Sequence, residues 1–189
     1  MANPFDEMDE LNLYPFPQEA RDILEEQNAP PRLIAHLILV HDVAVMVIEK
    51  VARQWPDLPF DADAVTFGAA IHDIGKIMHP EELRTSGRLH EQAGVMLLTF
   101  RGIEHDRARY ARTHARWTEE KPYKVEDMLV ALADTCWRGM RRRPLEDALV
   151  ERISVITGAE RWESFIHVGR IVEEISVGAD ARLLWQARF

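Results

Sequence analysis

The chain has 189 residues, with 23 Lys and Arg against 32 Asp and Glu, so its net charge is −9. That balance excludes the broadly basic surface that generic nucleic-acid or anionic-membrane binding needs, and a composition 47% hydrophobic and 29% charged excludes a mostly disordered chain. Cys136 stands alone and has no internal disulfide partner, no apolar run is expected to approach the roughly 20 residues of a membrane helix, and the acidic N-terminus (Asp6, Glu7, Asp9, Glu10) is unlike a signal peptide. The expectation is a single cytoplasmic domain with no membrane partner.

Residues 1–16 are acidic and carry Pro4 and Pro15, which predicts an arm packed loosely on a body of residues 17–189. Apolar periodicity then predicts helices at about 17–27, 31–54, 61–74, 88–100, 105–116, 125–139, 144–157 and 160–186. Pro31 and Pro144 suit first turns and Asp61 suits a cap. Gly75, Gly102 and Gly158 sit where helices are expected to stop. With no credible strand pair and no repeat, the fold class is all-α.

Eight histidines are spread over the chain. His72 and Asp73, in Ala70-Ile71-His72-Asp73-Ile74-Gly75-Lys76, fall in the last turn before a glycine stop, a better position for facing a cleft than a core. His36 lies in a strongly apolar helix with Val40, Ala44 and Val47 at i+4, i+8 and i+11, so it is expected on the core stripe. Taken alone, it reads as a satisfied core histidine rather than a ligand. His41 has Glu49 and Arg53 at i+8 and i+12 and is placed nearer a solvated face. Asp134 closes the apolar run Leu129–Ala133, where a carboxylate needs a metal, an arginine or a hydrogen-bond network. His79, His105 and His167 read as ordinary surface or core histidines, with the cleft rim as the alternative for His79 and His105, and the five tryptophans mostly as packing residues.

The order His36, His72-Asp73, Asp134, together with Leu89-His90-Glu91-Gln92-Ala93-Gly94 and Arg112-Thr113-His114, resembles the HD-domain metal-dependent phosphohydrolase superfamily over residues 32–140. The resemblance implies a single-domain helical bundle with metal at its centre. His36, His72, Asp73 and Asp134 would hold one ion, and Asp73 would bridge to a second held by His90 and His114. It further implies catalytic roles for Asp73 and Lys76. Imidazole and carboxylate without thiolate suit Mn, Fe, Co, Ni or Zn, two ions in all, and such a pair can supply an activated water at neutral pH.

Charge patterning points the same way. Residues 101–117 hold five arginines and 138–143 hold four, in a chain of negative net charge. Asp134, Arg138 and Arg141 fall at i, i+4 and i+7, on one face if the helix continues. Lys76, Arg138 and Arg141 are therefore candidate phosphate contacts and Trp137 a candidate base-stacking surface. The plainer alternatives are a helix-end lysine, and ion pairs to Glu146 or Asp147. The expected function is hydrolysis of a small anionic phosphate ester, with a nucleotide as first candidate. A di-iron oxygenase with the same six ligands and a non-catalytic nucleotide sensor are the alternatives.

Overall fold

A computed structural model describes residues 2–118 and 124–189. Among these the chain is helical without a strand. The helices are α1 (Gln18–Glu26), α2 (Pro31–Gln54), α3 (Ala62–Ile71), α4 (Leu89–Phe100), α5 (His105–Ala108), α6 (Tyr110–Arg116), α7 (Val125–Cys136), α8 (Arg143–Thr157), α9 (Arg161–Ser176) and α10 (Ala179–Gln186). Short 3-10 helices occupy Pro4–Leu11, Ile74–Ile77 and Pro80–Leu83.

α2 is the central element and packs on α3, α7 and α9. Leu33, Leu37, Val40 and Val47 of α2 meet Val65 and Ala69 of α3 and Met128 to Leu132 of α7 in one core. Full burial of each large aliphatic side chain contributes roughly 1.5–3 kcal/mol. Contrary to the expectation from sequence, α2 is long and apolar enough to cross a membrane. Yet 72% of its most apolar window is buried inside the bundle, as a central core helix requires.

The stop and start signals act mostly as expected. Asp61 caps α3 by accepting from the Ala64 N–H at 2.9 Å, and Gly102 and Gly158 end α4 and α8 at positive φ, 82° and 72°. Gly75 does something else. α3 ends at Ile71, before the expected boundary, and His72 and Asp73 occupy a turn leading into Ile74–Ile77. A Cβ on Gly75 would lie 2.0 Å from the His90 carbonyl oxygen and 2.5 Å from the Gly94 nitrogen. The bare backbone therefore lets this turn press directly on α4, which sets His90 beside Asp73.

The segment expected as one helix over 160–186 breaks at Val177-Gly178, where Arg182 folds back over Gly178 and donates to the Ile175 carbonyl at the end of α9. The N-terminal arm is not loose. Phe5 is buried, its ring 5.4 Å from that of Phe16, and Trp185 Nε1 donates to the Glu7 carbonyl at 3.3 Å. Arg188 pairs with both Glu7 and Glu10, so the arm closes on the C-terminal helix. Phe16 in turn covers His41, ring to ring at 5.3 Å, and leaves it 2% exposed. The solvated position expected for His41 is thus wrong, because residues far away in sequence fold over that face of α2. Four tryptophans are buried, but Trp162 is exposed.

Candidate metal centre and adjoining cavity

Four helices and one turn bring six side chains to a single point. His36 comes from α2, His72 and Asp73 from the turn after α3, His90 from α4, His114 from α6 and Asp134 from α7. Their donor atoms form two groups that could each hold an ion: His36, His72 and Asp134, here called the outer group, and Asp73, His90 and His114, the inner group. Within each, the donor atoms all lie within 4.8 Å of one another.

Asp73 joins the two. Its Oδ2 lies 3.2 Å from His36 Nε2 and 3.7 Å from His72 Nε2, while its Oδ1 lies 3.1 Å from His90 Nε2 and 3.6 Å from His114 Nε2. Asp134 Oδ1 completes the outer group at 3.5 Å from His36 Nε2 and 3.4 Å from His72 Nε2. His36 and His72 present their Nε2 atoms to each other at 3.2 Å.

The rings are held from behind. His72 Nδ1 lies 2.9 Å from the Ala69 carbonyl, His114 Nδ1 3.0 Å from the Tyr110 carbonyl, and His90 Nδ1 2.5 Å from Glu82 Oε2. Each outward contact suits an Nδ1–H donor, which leaves the inward Nε2 as a lone pair. His90 Nε2 is buried and, despite its distance from Asp73 Oδ1, makes no hydrogen bond. A buried polar atom without a hydrogen-bond partner is costly, and a cation is the partner that this one fits. Four imidazoles and two carboxylates also suit two divalent transition ions by type. The residues therefore fit a dinuclear metal centre.

Electrostatics reflect the crowding. Burial pushes the Asp73 and Asp134 carboxyls up, but the neighbouring His72 and the hydrogen-bonding His36 hold both well below the usual carboxylate range. Burial, reinforced by His72, pushes His114 down to about 4. Burial also raises Glu82, but hydrogen bonds from the His90 ring and from two backbone N–H groups outweigh it and bring it to about 2.

α6 is pinned by a buried network. Arg109 Nε donates to Asp127 Oδ1 at 3.1 Å, Thr113 Oγ1 to the same oxygen at 3.0 Å, and Arg109 Nη2 to the Tyr110 hydroxyl at 2.9 Å. These contacts tie α6 to α7 and fix His114.

A cavity of about 170 Å³ adjoins the outer group on the His36 side, lined by Arg32, Lys76, Trp137, Arg138 and Gln186 besides His36. Three of these are cations and none is an acid. Lys76 spans cavity and cluster, with Nζ 2.5 Å from Asp73 Oδ2. A larger cavity, about 590 Å³, lies beside Tyr14, Asp42 and Arg182, away from the six residues. The smaller one is the space where a substrate would meet the donor atoms.

Not every candidate reaches this space. The Trp137 ring meets His36 edge-on at 5.2 Å and is itself buried, so it walls the cavity rather than offering a free stacking face. α7 ends at Cys136 and Gly139 turns the chain at φ 75°, so the shared face expected for Asp134, Arg138 and Arg141 does not form. Arg138 still lines the cavity, whereas Arg141 pairs with Glu146 at 2.5 Å. Nor do the arginines of 101–117 line it. Arg101 pairs with Glu26, Arg107 with Glu19 at 2.6 Å, Arg109 with Asp127 and Arg116 with Glu91. The acids come from α1, α4 and α7, which local charge counting does not show. Arg32 and Glu82 were missed in the sequence; Arg32, four residues before His36 on the same helix, carried a usable signal.

A bundle with paired imidazole–carboxylate groups around a shared aspartate is the architecture of a metal-binding helical domain. The HD domain model matches residues 33–138, more than half of the chain, and the protein belongs to the HD domain family. The chain is also 26% identical over 153 residues to a tRNA (cytidine(56)-2'-O)-methyltransferase from Thermoplasma volcanium, an alignment covering 74% of this chain and 41% of that protein. It thus spans about two-fifths of that relative's length. No solved structure matches.

Proposed function

We propose that this protein is a metal-dependent phosphohydrolase acting on a small phosphate ester, a nucleotide being the first candidate. The observation that carries the reading is the cavity lined by Arg32, Lys76 and Arg138 directly beside a six-residue donor cluster. His36, His72 and Asp134 would hold one divalent transition ion, His90 and His114 the other, with Asp73 shared between them. When bound, the ions supply Lewis acidity: an activated water nucleophile and positive charge for the phosphoryl oxygens.

The chain's own side chains do the rest. Lys76, Arg32 and Arg138 neutralise and orient the phosphate; they also stabilise charge that spreads over its oxygens as the ester bond breaks. The buried Trp137 wall limits water on that side and holds His36 in place. The methyl transfer in the relative's name belongs to a protein of which this chain matches two-fifths.

The test is a screen of phosphorylated metabolites against the protein loaded in turn with Mn, Co, Ni, Zn or Fe. Metal-stimulated phosphate release that is lost in Asp73→Ala supports the reading. Absence of phosphate release with every ion, together with O₂ consumption by the reduced iron form on an alcohol or phosphonate, replaces it with an oxygenase. Tight nucleotide binding without turnover replaces it with a sensor.

A further inference from the structure

His90 differs from His72 and His114 in what stands behind its ring. His72 and His114 are backed by backbone carbonyls, but His90 is backed by a carboxylate. Glu82 supplies it from the short helix Pro80–Leu83, which belongs to none of the bundle helices, and it is buried. One oxygen, Oε1, accepts the Leu89 N–H at 3.0 Å. The other, Oε2, accepts both the His90 N–H at 3.1 Å and the His90 ring Nδ1–H at 2.5 Å. The residue at the cap position of α4, Arg88, makes no side-chain cap hydrogen bond. Glu82 therefore takes up first-turn N–H groups that the helix leaves unpaired and aims the ring of the first-turn histidine with the same carboxylate.

The chain makes room for this contact. A Cβ on Gly87 would lie 2.0 Å from Glu82 Oε1, so only glycine leaves the carboxylate where it is. The His90 ring then has its Nδ1 committed as a donor and its Nε2 turned inward beside Asp73 and His114. A carboxylate partner also makes an imidazole a stronger donor toward a cation than a carbonyl partner does.

We propose that Glu82 is a positioning residue for the inner group, fixing the His90 tautomer and rotamer so that this half of the centre fills. The proposal rests on the dinuclear reading given above. Losing such an outer partner typically costs about 10- to 100-fold in metal affinity.

The experiment strips the protein with chelator and titrates it with Mn(II), following free metal and the spin-coupled signal of a paired Mn site by electron paramagnetic resonance. Melting temperature is recorded alongside. Wild type is expected to take two ions per chain with the coupled signal. Glu82→Ala is expected to weaken only the inner ion by about 10- to 100-fold and to lose the coupled signal at concentrations that saturate wild type. Glu82→Gln keeps an oxygen for the helix end but removes the charge, and it is expected to melt near wild type while still binding the inner ion more weakly. Gly87→Ala leaves Glu82 in the sequence but crowds its carboxylate, so it should weaken the same ion even if Glu82→Ala does not fold. Wild-type affinity for both ions in Glu82→Gln and Gly87→Ala would overturn the proposal and reduce Glu82 to a helix cap. A wild type that takes only one ion fails the dinuclear reading itself, and the proposal with it.

Discussion

The outer and inner groups share Asp73 but are built from different material. His36, His72 and Asp134 hang from α2, the end of α3 and α7, the helices whose aliphatic faces make the core. Two of the three also face outward: the side chains of His36 and Asp134 are 14% and 32% exposed, whereas His72 is fully buried. His90 and His114 come from α4 and α6, both buried, and are held by polar contacts from Glu82 and from the Arg109–Asp127 network. The outer half is positioned by hydrophobic packing and open to a ligand. The inner half is closed, and its precision depends on a few buried hydrogen bonds, which are sensitive to loss of a single partner.

Breaking the shared residue should have the largest effect. Asp73→Ala removes the carboxylate from both halves, so metal content by elemental analysis is expected to fall from two ions toward none and turnover to background. Breaking one half should be partial. His36→Ala is expected to lose the outer ion, and His90→Ala or His114→Ala the inner one, each leaving about one ion per chain. If all three variants lose both ions together, the two halves are not separable in the way their construction suggests.

The cavity offers a finer contrast. Lys76→Ala and Arg138→Ala should keep metal and weaken KM or kcat by roughly ten- to a hundred-fold, the scale of about 1.5–3 kcal/mol for a lost charged contact. Arg141→Ala, whose guanidinium pairs with Glu146, should leave kinetics near wild type.

The smallest effect on the centre belongs to His41. Burial pushes it from 6.5 down to about 4. The unfolded chain therefore binds the extra proton between those values, and stability that is present above pH 6.5 is lost as pH falls toward 4. This one group accounts for on the order of 3 kcal/mol across that window. Acid unfolding of the metal-free protein followed by circular dichroism should be shallower over pH 4–6.5 in His41→Leu, while its metal content stays at the wild-type level.

The helices were legible in the sequence because their apolar periodicity is strong, and the six cluster residues because their order and flanks resemble a known pattern. What the sequence concealed was non-local. His41 looked solvated from its own helix, since nothing in α2 announces that Phe16 lies over it. The arginines of 101–117 looked like an anion lining because their acids lie on α1, α4 and α7. Glu82 sits in an ordinary acidic turn eight residues before His90, and only the fold turns its carboxylate toward that ring. The breaks at His72-Asp73 and Val177-Gly178 were hidden for a related reason: backbone contact with α4 sets the first, and the Arg182 side chain accompanies the second.

The most direct measurement is anomalous diffraction at the Mn edge from crystals of the Mn(II)-loaded protein. Two peaks are expected, one among His36, His72 and Asp134 and one between His90 and His114, with Asp73 reaching both. A single peak, with His90 and His114 both away from it, would contradict the two-ion centre.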